Sequence, residues 1–113
     1  MPQADNVKRA MLNWLTNDRF SNRQRVLVKT YGNVAYLGSY DPKKDDDIRR
    51  FHLEDGKLRS SSCGGGRSPQ EDAFATACGV ALSDLIANEI VTLEESSNRL
   101  IGALALYRLK EAR

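Results

Sequence analysis

Residues 91–112, VTLEESSNRLIGALALYRLKEA, decide what this chain builds at its C-terminal end. Thr92-Leu93-Glu94-Glu95 has the Thr-x-x-Glu form of a capping box, which satisfies two of the free N–H groups at a helix start. Leu93, Leu100, Ile101, Ala103, Leu104, Leu106, Tyr107 and Leu109 follow, so the spacing predicts a helix from 93 to about 111. Those residues fall nearly all around the circumference. A helix apolar on so many sides is central in a core or pressed against another subunit. Homodimerisation through the 93–111 helix is the expectation.

Working back along the chain, Ser68-Pro69-Gln70-Glu71 is a second capping box, with proline at the first helical position. Phe74, Ala77, Cys78, Ala81, Leu82, Leu85 and Ile86 then make one wide apolar stripe, whose small residues permit close approach by a neighbour. Before it lies SSCGGGR, residues 61–67. Glycines ahead of a helix suit a phosphate, but Glu71 and Asp72 occupy the positive end of the dipole and would repel an anion. No P-loop or spaced dinucleotide-binding glycines are present. The segment reads as a connector.

The middle of the chain carries two hairpin signals. QRVLVKTYGNVAYLGSY, residues 24–40, turns at Gly32-Asn33; IRRFHLEDGKLRSSS, residues 48–62, turns at Asp55-Gly56. At the N-terminus Val7, Met11, Trp14 and Leu15 share one helical face, with Asp5 as its cap. The predicted order is α-β-β-β-β-α-α: a single α+β domain over residues 1–113, its four-stranded antiparallel sheet packed by helices mainly on one face.

Alternation sorts the strands. With two-residue turns, Val26, Val28 and Thr30 align with Ala35, Leu37 and Ser39 toward the helices, joined by Phe51, Leu53, Leu58 and Ser60. The reverse face receives Arg25, Leu27, Lys29, Tyr31, Val34, Tyr36 and Tyr40, with Arg50, His52, Lys57 and Arg59. Leu27 and Val34 leave room for the first helix, with Trp14, to cover part of it. The candidate site is Arg25, Lys29, Tyr31, Tyr36, Tyr40, Arg50, His52 and Arg59. Interleaved phenols and cations suit an acidic protein partner, because Tyr and Arg are favoured at interface hot spots. They also suit single-stranded nucleic acid, whose bases stack on rings while cations meet phosphates.

Composition narrows the rest. The chain has 113 residues and a formal net charge of +2. Residues 1–30 hold six basic and two acidic side chains, 31–60 six of each, and 61–113 five and seven. No secretory h-region is visible, and LIGALALY at 100–107 is too short to span a bilayer. A cytoplasmic protein without a membrane partner is expected. Cys63 and Cys78 then read as reduced thiols, and with one histidine they are too few for a metal site. Cys78 lies on an apolar stripe. Cys63 is the nucleophile of an alternative reading, a thiol-dependent enzyme or redox-responsive protein. It falls about 13 Å past the partner of His52, too far for a Cys/His pair at ~3.3 Å per residue. The principal expectation is a non-catalytic binding or regulatory module with no cofactor.

Overall fold

The computed structural model describes residues 2–16, 19–20, 23–30, 32–41, 43, 48–61, 68–97 and 104–110. Among these are two helices, α1 (Pro2–Thr16) and α2 (Pro69–Ala87). The strands are β1 (Arg19–Phe20), β2 (Arg23–Lys29), β3 (Ala35–Tyr40), β4 (Ile48–Glu54), β5 (Lys57–Ser60), β6 (Val91–Ser97) and β7 (Leu104–Leu109). They form one antiparallel sheet in the order β5-β4-β3-β2-β7-β6, with the two-residue β1 also against β2. The α+β class is as expected; the four-strand sheet and the third helix are not.

Val26, Leu27 and Val28 are buried in succession, which alternation permits only where both faces of a strand are covered. Leu27 joins Leu37 and Ala35 beneath the helices, with Met11, Trp14 and Leu15 of α1 and Phe74, Cys78, Leu82 and Leu85 of α2. Val26 and Val28 belong to a second cluster on the reverse side, with Tyr40, Leu106 and half-buried Ile48.

The helices form for the reasons their sequences supply, with two adjustments. α1 starts at Pro2 and runs through Asp5, which therefore does not cap it. In α2 the Ser68 side chain accepts from the Glu71 N–H at 3.1 Å, and Pro69 opens the first turn. Close approach to α2 comes at Gly79, which lies outside the expected stripe. A Cβ on Gly79 would fall 1.4 Å from the Asn33 carbonyl oxygen, so only glycine lets the helix lie on the β2–β3 loop.

The predicted C-terminal helix is a correction. α2 ends in a Schellman motif: Ile90 N–H donates to the Leu85 carbonyl and Glu89 N–H to that of Ile86, each at 3.0 Å. Glu89 takes the left-handed φ of 58°, a position glycine usually holds, so its identity hides the stop signal. The chain turns into β6 at Val91, and the Thr92–Glu95 box caps nothing. Residues 104–109 are apolar on both sides because β7 joins β2 through Leu27↔Tyr107, Val28↔Leu106 and Lys29↔Ala105. Leu106 enters the reverse cluster while Tyr107 and Leu109 pack under the helices. A short apolar run fits a twice-buried strand as well as a buried helix. The homodimer expected through a 93–111 helix loses its basis.

Register supplies the second correction. The Asp55-Gly56 hairpin is as read, with Leu53↔Leu58 and His52↔Arg59. The first hairpin is not: β2 and β3 pair as Val26↔Gly38, Leu27↔Leu37 and Lys29↔Ala35, and Thr30 N–H reaches the Val34 carbonyl at 3.2 Å. Its loop therefore has three residues, 31–33, with Gly32 at φ +67°. One extra loop residue moves all of β2 to the other face relative to β3.

Two substitutions test these junctions by chemical denaturation. Gly79→Ala should destabilise the fold by about 3 kcal/mol, since backbone rather than a movable side chain blocks the methyl. Glu89→Gly should stabilise it by about 1 kcal/mol by relieving the left-handed φ.

Candidate functional site

The register divides the predicted site. Pairing puts Arg25 and Lys29 on the helix side, with Ala35, Leu37 and Ser39. Tyr36, Tyr40, Arg50, His52 and Arg59 share the reverse side with Val26 and Val28. Tyr31 lies outside the described residues.

Most of these side chains are occupied. The Arg25 guanidinium lies 4.2 Å from the Trp14 ring centroid, and the Trp14 indole N–H donates to the carbonyls of Gly38 at 2.9 Å and Val26 at 3.1 Å. Arg50 stands over the Tyr36 ring at 5.2 Å. Tyr36 is 3% and Tyr40 5% exposed, so neither phenol offers a face for stacking. Lys29 is half-buried. Among the described members of the set, only Arg59 is exposed.

His52 joins a buried polar cluster that the sequence reading did not foresee. Its Nδ1 lies 2.7 Å from Ser61 Oγ and its Nε2 2.9 Å from Glu54 Oε1. Ser68 Oγ donates to the same Glu54 oxygen at 3.3 Å, and Glu71 Oε1 lies 3.8 Å from Nδ1. Phe74 closes over the ring at 6.5 Å between centroids. His52 alternates away from Phe51 and Leu53, yet it is 3% exposed because the start of α2 and Ser61 fold over this corner. The His52 bond holds the Glu54 carboxyl below its ordinary range, with Ser68 adding to the effect and partial burial opposing it.

Serine, histidine and glutamate in series resemble a nucleophile relay. The chemistry opposes that use. Glu71 places a second carboxylate beside the nitrogen that faces Ser61, where it would repel charge developing on the attacking oxygen. Glu71 Oε2 is buried with no hydrogen-bond partner among the described residues. The cluster ties β4, the chain after β5 and α2 together. Its signal was concealed because Ser61 and Glu71 meet His52, and Ser68 meets Glu54, only through the tertiary turn of the chain.

Burial pushes the Cys78 thiol far above its usual range, so it stays protonated and unreactive. Cys63 lies outside the described residues. Among the described residues no group of His, Cys, Asp and Glu is arranged to hold a metal ion, and no helix is long and apolar enough to cross a membrane.

The sheet edge at β5 stays accessible. Lys57, Leu58, Arg59 and Ser60 are all exposed, Leu58 at 48%. A two-residue turn makes Glu54↔Lys57 a hydrogen-bonded pair, and alternation makes His52↔Arg59 the next. The bond from Ser61 N–H to the Arg50 carbonyl at 2.8 Å continues that series. The N–H and C=O of Leu58 therefore point outward, away from β4. Lys57 and Arg59 lie on the reverse side and Leu58 on the helix side.

Compared with known proteins, the chain matches no family model, and no curated protein or solved structure is significantly similar to it.

Glu54 sets a pH test. Its folded carboxyl titrates below its ordinary value of about 4.5, so it contributes stability above that pH. The contribution is lost as pH falls through the lower folded value. Glu54→Gln lacks this contribution, so its urea midpoint should fall less steeply than wild type as pH drops below 4.5.

Proposed function

We propose that the chain is a non-catalytic docking module that takes an extended acidic protein segment onto its β5 edge. One observation carries this reading: β5 is exposed along its whole length and holds two cations and no acid, with a main-chain donor and acceptor aimed outward at Leu58. An extended segment added to such an edge gains backbone hydrogen bonds, while side chains at alternate positions supply selectivity. Lys57 and Arg59, two residues apart on one side, would meet acids spaced by two in the bound strand.

The surface differs from the one expected from sequence. Arg25 and Lys29 belong to the helix side, and Tyr36 and Tyr40 are buried, so the acidic partner is assigned to the edge rather than to an open face. The same burial weighs against the alternative of single-stranded nucleic acid, which needs exposed rings for its sequence-tolerant stacking. The thiol alternative rests on Cys63, which lies outside the described residues; among the described groups, Cys78 is buried and protonated and His52 is held in the polar cluster.

The probe is a peptide of alternating glutamate and valine, titrated against the full chain and followed by anisotropy. Lys57→Glu/Arg59→Glu should weaken capture at least tenfold, about 1.4 kcal/mol, with the fold retained by circular dichroism. Wild-type affinity should also fall with added salt. Undiminished capture by the double variant would reject the edge. Tighter binding of oligo-dT than of the peptide would favour nucleic acid instead.

A further inference from the structure

The two ends of the sheet are complementary to each other. β5 and β6 terminate the order β5-β4-β3-β2-β7-β6, and every pairing between them is antiparallel. Five antiparallel steps separate them, so they run in opposite directions. A second copy placed beside the first in the same orientation brings its β6 antiparallel to β5, and the sheet continues with its pairing type unchanged.

Charge and shape favour the same contact. β5, Lys57-Leu58-Arg59-Ser60, holds two cations; β6, Val91 to Ser97, holds Glu94 and Glu95 and no cation. Each edge exposes one leucine: Leu58 at 48% and Leu93 at 52%. Both lie on the helix side, because Leu58 pairs with Leu53 and Leu93 with Tyr107, whose partners pack beneath the helices.

The hydrogen-bonding phase agrees. Lys110 N–H donates to the Ile90 carbonyl at 2.9 Å, so Ile90↔Lys110 is a hydrogen-bonded pair, and Thr92↔Arg108 is the next by alternation. The N–H and C=O groups of Val91 and Leu93 thus point outward, as those of Leu58 do on the other edge. Setting Leu58 opposite Leu93 matches donor to acceptor in both directions. It also puts the two leucine side chains on one face.

We infer that β5 of one copy binds β6 of a second copy, so that the acidic strand taken by the docking edge is this chain's own. The inference rests on the docking reading and names its partner. The contact is head-to-tail, and it therefore builds a ring or an open row rather than a two-fold dimer. β5 has only four residues, and the β6 ladder is irregular between Leu93 and Glu95, features that blunt sheet edges. The interface is accordingly small and belongs to the weak, concentration-dependent class.

Sedimentation velocity of the full chain tests it, at concentrations from about 10 μM to about 1 mM as befits a weak interface. Wild type should associate as concentration rises and dissociate in added salt. Lys57→Glu/Arg59→Glu has two acidic edges and Glu94→Lys/Glu95→Lys two basic ones, so each alone should stay monomeric. An equimolar mixture should associate again, since every contact in an alternating row pairs opposite charges. Leu58→Pro removes the outward N–H but no bond to β4, and it should abolish association with the melting temperature kept within a few degrees of wild type. A wild type that stays monomeric throughout overturns the inference, as does association that either charge variant retains alone. The docking reading is judged separately by the glutamate–valine peptide, which a monomeric wild type would still capture if that reading holds.

Discussion

β2 is the strand on which the rest of the molecule depends. Three consecutive residues, Val26, Leu27 and Val28, have no access to solvent, so cover is required on two faces and pairing on two edges. The helices and Leu37 supply one face; Leu106 and Tyr40 contribute to the other. β3 takes one edge and β7 the other. The C-terminal residues thus complete the sheet from its middle. A β7 lost to truncation would leave Leu27 and Val28 open and a central ladder unmade, a far larger cost than fraying an end strand.

The same strand explains why the binding surface moves to an edge. With Val26 and Val28 directed to the reverse side, the cations that flank that pair, Arg25 and Lys29, go to the helix side. Arg25 there becomes a packing group over Trp14, its stem and guanidinium covering the ring whose N–H serves two strands. Of the phenols on the reverse side, Tyr40 joins the second cluster and Tyr36 is buried as well. At β5 exposed charge coincides with the end of the sheet, and a sheet end presents backbone donors and acceptors as well as side chains. That combination is why an edge, rather than a face, carries the functional reading.

Open edges usually invite indiscriminate pairing, and this sheet limits them by brevity at β5 and by irregularity at β6. Opposite charge on the two ends adds selectivity, because like edges repel while unlike edges attract. The antiparallel order and an odd number of steps from end to end make the geometry compatible with that attraction. Neither property depends on any single side chain.

Much was legible from local chemistry alone. The Ser68 cap, the Asp55-Gly56 turn and the apolar faces of both helices are each set by neighbours a few positions apart. Two features were not. A two-residue and a three-residue loop around Gly32 are equally compatible with the residues 30–34, and the pairing of Leu27 with Leu37 and Tyr107 selects between them. Residues 104–109 satisfy helix and strand patterns alike, and the vacant edge of β2 resolves them as strand. The sequence by itself determined where α2 starts and where β4 turns into β5, because that cap and that turn are short-range hydrogen-bond problems. Only the tertiary structure decided which face β2 presents and what the last apolar run becomes, because both depend on partners distant along the chain.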